Sequence, residues 1–308
     1  MSDAVTGRNI RMLLTLWCSL TIAAAVAAEP ATQHDLTYWR ALKQSQFKLP
    51  PETSALPLAI EAAGLLGSTN SELRDDIGYE ALATWVYQDQ RLSPAELRQL
   101  LPVLTRNARQ GLGREGDDTL FLRSFSQLGL SILAAQELRA SFLDAESFRT
   151  LVGLGVRSLR EERDLRGYVH GKGWGHATAH CADLLKFLAR NPRLLPGQQA
   201  EMVAAIVGRL QTAGHVFTWG EDGRLAAALA AIVRRNDVDQ TAFHRWFKAL
   251  REEHEHLWGG SFDPTLYVRE RTQLNTLNEL IAELEPDTTP GSVQELRADL
   301  RALRADLR

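Results

Sequence analysis

The sequence has 308 residues, with 35 basic and 38 acidic side chains and a formal net charge of −3, a balance that favours neither nucleic acid nor an anionic membrane surface as partner. Its two cysteines are Cys18 and Cys181. If Cys18 leaves with a cleaved leader, Cys181 is alone, a lasting internal disulfide is impossible, and the fold must rest on its core.

A leader is what the first residues predict. Arg8 and Arg11 precede an apolar run from Met12 to Ala28 that closes on Ala25, Val26, Ala27 and Ala28, the order of a secretory signal peptide. Residues 1–28 therefore read as a cleavable signal with cleavage after Ala27 or Ala28, and the protein as periplasmic or secreted. The run is short and alanine-rich for a stable span, and no other stretch is apolar enough to cross a bilayer. Trp17 stands where a lipoprotein signal wants a small residue before its cysteine.

From residue 29 to about residue 290 apolar positions recur at helical spacing, and alternating strand-like runs are nearly absent. In "ELRDDIGYEALATWVY", Ile77, Leu82, Trp85 and Val86 form one stripe. "SPAEL" at 93–97 and "DAESF" at 144–148 open helices on N-capping residues, and "NPRLLPG" at 191–197 is a turn. The spacing predicts about ten to twelve helices with short connections.

Polar groups mark alternate helices. Asp75, Arg123, His176, Asp222 and Arg271 are separated by 48, 53, 46 and 49 residues, slightly more than the roughly 40 to 47 of HEAT and armadillo repeats. The reading is an all-α fold, an α-solenoid of HEAT/armadillo-like helical pairs in one domain over 29–290, with a non-repetitive helical bundle as alternative. Residues 291–308 form a C-terminal amphipathic helix whose Leu296, Leu300, Leu303 and Leu307 alternate in steps of four and three. Such a seam caps the last repeat or forms a dimer contact.

The densest chemistry lies in "GKGWGHATAHCADLL" at 171–185. On a helix, His176, His180 and Asp183 fall at i, i+4 and i+7, within about 60° of one another. Two histidines and a carboxylate can hold a divalent metal such as zinc and leave a position for water, although Ala177 stands where a zinc-protease motif has its glutamate. They equally serve as acid/base groups, or as structural histidines bonded to polar neighbours. Cys181 projects about 100° from His180 and reads as buried. Gly171, Gly173 and Gly175 make a loop into the helix start, with Trp174 packed as a staple and His170 and Lys172 near any anion there. One period on, Glu221, Asp222 and Arg224 open another helix and complement its dipole or reach the same groove. In "LFLRSFSQLGLSIL", Arg123 sits on a mostly apolar helix and needs an acidic partner, for which Asp75 or Asp76 is the natural expectation. His254 and His256, two apart, face different sides of a helix and are not a ligand pair.

The stretches "RDDIGYEALATW" at 74–85, "FLRSFSQL" at 121–128, "DLRGYVHGKGWGHATAHCADLL" at 164–185 and "EDGRLA" at 221–226 resemble the bacterial domain of unknown function 2785. Gly175 and Cys181 stand where that pattern has other small residues, which argues against a role for the thiol. The resemblance implies Arg74, Asp75, Arg123, Ser124, Asp164, Arg166, Lys172, Trp174, His176, His180, Asp183, Glu221, Asp222 and Arg224 as the family's recurring polar positions, and no established activity.

Three functional expectations follow. The first is a groove that binds a peptide, a glycan fragment or another small polar ligand through Arg74, Asp75, Arg123, Ser124, Lys172, Trp174, Arg224 and Arg271. The second is a hydrolase in which His176, His180, Glu221 and Asp222 act as catalytic groups, or His176, His180 and Asp183 hold a metal. The third is a helical scaffold that meets a protein partner.

Overall fold

The computed structural model describes residues 33–285 and 292–307, so the leader read at 1–28 lies outside the described residues. Asp35 opens α1 (Leu36–Gln44) by accepting a hydrogen bond from the Tyr38 amide, and α2 (Leu56–Leu65) begins with proline in its first turn. The next helical segment, α3, runs as a π-helix over Glu72–Tyr79, an α-turn over Glu80–Leu82 and a π-helix again over Ala83–Gln88. Its buried residues recur in pairs four apart: Ile77 and Gly78, Ala81 and Leu82, Trp85 and Val86. That period exceeds 3.6, and a more loosely wound helix keeps all of them on one face. Gly78 lets α2 and α3 approach closely, because a Cβ there would stand 3.1 Å from the Ala62 carbonyl of α2.

Ser93 caps α4 (Pro94–Arg109) in a reciprocal box with Glu96, an arrangement whose cap alone contributes about 1 kcal/mol. The chain continues through α5 (Thr119–Arg139), α6 (Ala145–Glu161), α7 (Ala177–Ala189), α8 (Pro196–Thr212), α9 (Glu221–Val233), α10 (Thr241–Gly259), α11 (Pro264–Leu284) and α12 (Ser292–Asp306). Asp144 caps α6 through the Ser147 amide. Between α6 and α7 a short antiparallel hairpin, β1 (Tyr168–Val169) and β2 (Gly173–Trp174), replaces the expected plain loop; these are the only strands among the described residues.

The helices pack in two layers, and the protein is all-α apart from the hairpin. In one layer α5 lies against α7, α7 against α9 and α9 against α11, with α3 on the outer side of α5. In the other, α4 meets α6, α6 meets α8 and α8 meets α10. The leucines and alanines between the layers form one continuous core. Asp75, Arg123, His176, Asp222 and Arg271 lie on or beside α3, α5, α7, α9 and α11, so the sequence spacing marks one layer. The tail helix α12 packs on α10 and α11, with Leu296, Leu300 and Leu303 fully buried. No helix among the described residues is long and apolar enough to cross a membrane.

Candidate functional site

The hairpin is where polar residues of the layer formed by α5, α7 and α9 meet the surface. Tyr168 pairs directly with Trp174 across the two strands. The turn uses Gly171 and Gly173 at φ of 75° and 82°, a backbone region that glycine enters without steric cost. Lys172 ties the turn to Asp118 by an ion pair of 2.8 Å. Beneath it, the fully buried Arg74 donates to the carbonyls of Ser68 and Lys172, each at 2.8 Å. Its guanidinium also lies over Phe121 and Phe125 at 4.3 and 4.8 Å. A Cβ at Gly173 would come within 2.9 Å of that guanidinium. Arg74 therefore clamps the hairpin onto α3 and α5 from a fully buried position. Asp75 approaches Arg74 Nε at 2.7 Å, off the N–H axis, so the contact is an ion pair rather than an aligned hydrogen bond. Burial outweighs that attraction and pushes the Asp75 carboxyl up to about 6.

His176 is not on the helix face that the i, i+4, i+7 pattern predicts. It is the N-cap residue of α7, held in the left-handed region at φ 57°. The surroundings enforce this: its amide donates to the Arg166 carbonyl at 3.0 Å and its own carbonyl accepts from the His180 amide at 3.0 Å. The ring stacks on Trp174 with centroids 4.8 Å apart. Its Nε2 stands 2.8 Å from the Trp219 carbonyl; because a carbonyl only accepts, Nε2 carries the proton and the neutral ring leaves Nδ1 as an acceptor.

Behind it, His180 packs edge-on against His176 at 5.6 Å and against Phe125 at 4.7 Å. The Ser124 hydroxyl donates its one hydrogen to the Gly175 carbonyl and stands 2.8 Å from His180 Nδ1. Nδ1 must then be the donor, and Nε2 is left unprotonated with no hydrogen-bond partner among the described residues. Burial first, and then the neighbouring His176 and the positive charges of Arg224 and Arg74, holds His180 well below the ordinary histidine value. Burial also lowers His176, partly opposed by the Trp219 carbonyl. Ser124 thus positions His180 and is itself fully buried.

Trp219 reaches the hairpin from the loop before α9. It lies against Gly167, where a Cβ would clash with its ring at 2.2 Å, and its amide donates to the buried Glu221 at 2.9 Å. Tyr168, Trp174 and Trp219 form a surface trio with ring centroids 5.3 to 6.4 Å apart. They are 50%, 37% and 48% exposed, so Trp174 is not the buried staple the sequence suggests. Tyr168 and Trp219 also wall a cleft of about 470 Å³ whose polar lining includes Arg163, Arg166, Asp164 and His215. Within it, Arg166 is paired with Asp164 at 2.6 Å.

Next to His176, Asp183 is ion-paired with Arg224 and with Lys186. Tyr79 of α3 closes this side; burial raises its phenol, helped by the charges of Glu80 and Asp183. Asp222 accepts from the Gly223 amide of its own helix at 3.0 Å. The expected zinc triad is not assembled: His176 lies outside the helix, the Asp183 carboxylate is matched by two cations, and no group of three histidine, cysteine, aspartate or glutamate side chains among the described residues is arranged to hold a metal. The Cys181 thiol is buried and bonded to the Gly155 carbonyl at 3.2 Å, with burial pushing it up to about 12.

The structure thus gathers Ser124, Lys172, Trp174, His176, His180, Asp183, Glu221 and Arg224 around one hairpin. Two expectations are corrected. Arg123 does not pair with Asp75 or Asp76; it is fully buried and forms a fork with Glu162 at 2.6 and 3.0 Å, while Asp76 pairs with Lys43. Arg271 does not join the site; it lines a separate cavity between α10, α11 and α12. Sequence reasoning missed Tyr168, Tyr79, Glu162 and Trp219. Trp219 had a signal, since it follows Trp174 by 45 residues, about one repeat period.

These features define an all-α protein whose buried histidine pair lies under a surface cluster of aromatic rings. The chain belongs to the family described as protein of unknown function DUF2785, whose model matches residues 109–279. The match spans α5, the hairpin, both histidines and α9. No curated protein and no solved structure gives a significant match.

Proposed function

We propose that this protein binds a small neutral polar ligand, best matched by a glycan fragment, on the face formed by Tyr168, Trp174 and Trp219. The observation that carries the reading is the exposure of three contacting rings, two of which, Tyr168 and Trp219, wall a cleft of about 470 Å³. Exposed aromatic clusters with convergent polar groups are features of ligand sites, and a sugar ring offers an apolar C–H face to such rings and hydroxyls to the groups around them. Charges nearby cancel in sign: Asp183 is matched by Arg224 and Lys186, Asp164 by Arg166, and Glu115 and Arg163 add one charge of each sign to the cleft. That balance suits an uncharged ligand better than an ionic one. In this reading the two layers are an α-solenoid of HEAT/armadillo-like helical pairs, supported by the side-by-side packing of α5, α7, α9 and α11. Export to the periplasm or beyond is part of the same proposal and is supported by the signal-like order of residues 1–28.

Saturation-transfer NMR against a panel of neutral oligosaccharides and unrelated peptides tests the reading. Transfer to sugar C–H protons, lost in Trp174→Ala and Trp219→Ala, is the expected result. Transfer to peptides alone would move the reading to a peptide groove, and no transfer to any member would remove it.

A second reading, acid/base hydrolysis, has one observation in its favour: the unprotonated Nε2 of a neutral His180 whose tautomer Ser124 fixes. Mass spectrometry of the recovered ligand after long incubation separates it from simple binding.

A further inference from the structure

At the far end of the molecule, α10, α11 and α12 enclose a cavity of about 700 Å³ that includes Arg271. Its size lies within the ~300 to 1,000 Å³ of small-molecule sites. Four apolar or aromatic side chains line it, Trp258, Tyr267, Leu274 and Leu307. Trp258 and Tyr267 meet edge-on at 6.3 Å, and Phe262 joins them within 6.4 Å. Trp258 and Phe262 are 56% and 59% exposed, so a large aromatic surface is left open beside the opening.

The charges in this cavity are not balanced. Glu270, nearly fully buried, is engaged by His254 Nδ1 at 2.5 Å. Arg304 donates to the neutral Asn278 side chain at 2.7 Å. Arg271 is half-buried and has no hydrogen-bond or ion-pair partner among the described residues. Two guanidinium groups therefore face the cavity without a carboxylate of their own, and a guanidinium fork matches a carboxylate in two parallel hydrogen bonds.

We infer that this cavity is a second binding site, for a monocarboxylate carrying an aromatic or branched apolar body, with the carboxylate on Arg271 and the body against Trp258, Tyr267 and Leu274. The inference is independent of the glycan reading, since it shares no residue with the hairpin. The same chemistry is offered by a free organic acid and by the C-terminal residue of a peptide.

Isothermal titration of the full chain with 3-phenylpropionate and with glycyl-phenylalanine, each beside its amide, tests it. The expected result is binding of at least one carboxylate, weakened about tenfold or more in the matching amide and in Arg271→Gln, and partly restored in Arg271→Lys. Preference for the free acid or the dipeptide identifies the source. Equal binding of acid and amide, unchanged binding by Arg271→Gln, or no heat from either acid up to about 10 mM with protein of normal melting temperature would overturn the inference.

Discussion

The Ser124 hydroxyl stands 2.8 Å from Nδ1 of His180 while giving its hydrogen to the Gly175 carbonyl. This one contact joins α5, the hairpin exit and α7, and fixes which histidine nitrogen carries the proton. Removing it in Ser124→Ala leaves a buried N–H without its acceptor, a cost of about 1–3 kcal/mol. Nitrogen-15 NMR of the histidine rings should show the Nδ1–H tautomer in the parent protein and mixed tautomers in the variant.

The same histidine gives the protein a dependence on pH. His180 is held well below its ordinary value in the folded state, so the unfolded chain takes up a proton below about pH 6.5 that the folded chain refuses. Stability associated with this group is present above that pH and is lost as pH falls below it. Urea unfolding between about pH 8 and 5 should show a decline that is reduced in His180→Gln; equal slopes in the two proteins would contradict the assignment.

Asp75 acts with the opposite sign. Its folded value is raised to about 6, above the unfolded value of about 3.9. Between these values the folded protein binds the extra proton, so this group's contribution to stability falls as pH rises through about 4 to 6. Carbon-13 NMR of the Asp75 carboxyl should find its midpoint well above the ordinary aspartate range.

Arg123 and Glu162 are 0% and 3% exposed. Glu162→Gln leaves the buried guanidinium with only the more distant Asp117 carboxylate, 3.8 Å away, and should destabilise by about 3 kcal/mol. Replacing both with Leu and Met should recover much of that loss. A Glu162→Gln protein of unchanged stability would show that the pair does not hold α5 to the end of α6.

How far the sequence carried is clear from particular residues. The buried stripe of Ile77, Leu82, Trp85 and Val86, the caps at Ser93 and Asp144, and the layer marked by Asp75, Arg123, His176, Asp222 and Arg271 were legible because each is a local pattern. The partner of Arg123 was not, because period marks equivalent helices and Glu162 comes from the segment after α6, in the other layer. The left-handed turn at His176 was hidden for a related reason. It depends on the Arg166 carbonyl and on a hairpin of two-residue strands, too short to show alternation. Tyr168 and Trp219 meet only because Gly167 leaves space for the Trp219 ring, a tertiary relation with no local pattern.

Fluorine NMR of protein labelled with fluorotryptophan reads the proposed ligand face at Trp174 and Trp219 directly. On titration with a neutral oligosaccharide selected by the NMR panel, the resonances of Trp174 and Trp219 should shift in a saturable way with a common dissociation constant. Those of the buried Trp39, Trp85 and Trp246 and of Trp258 in the separate cavity should stay in place. Shifts at Trp258 alone, or no saturable shift at Trp174 or Trp219 with every oligosaccharide, would contradict it.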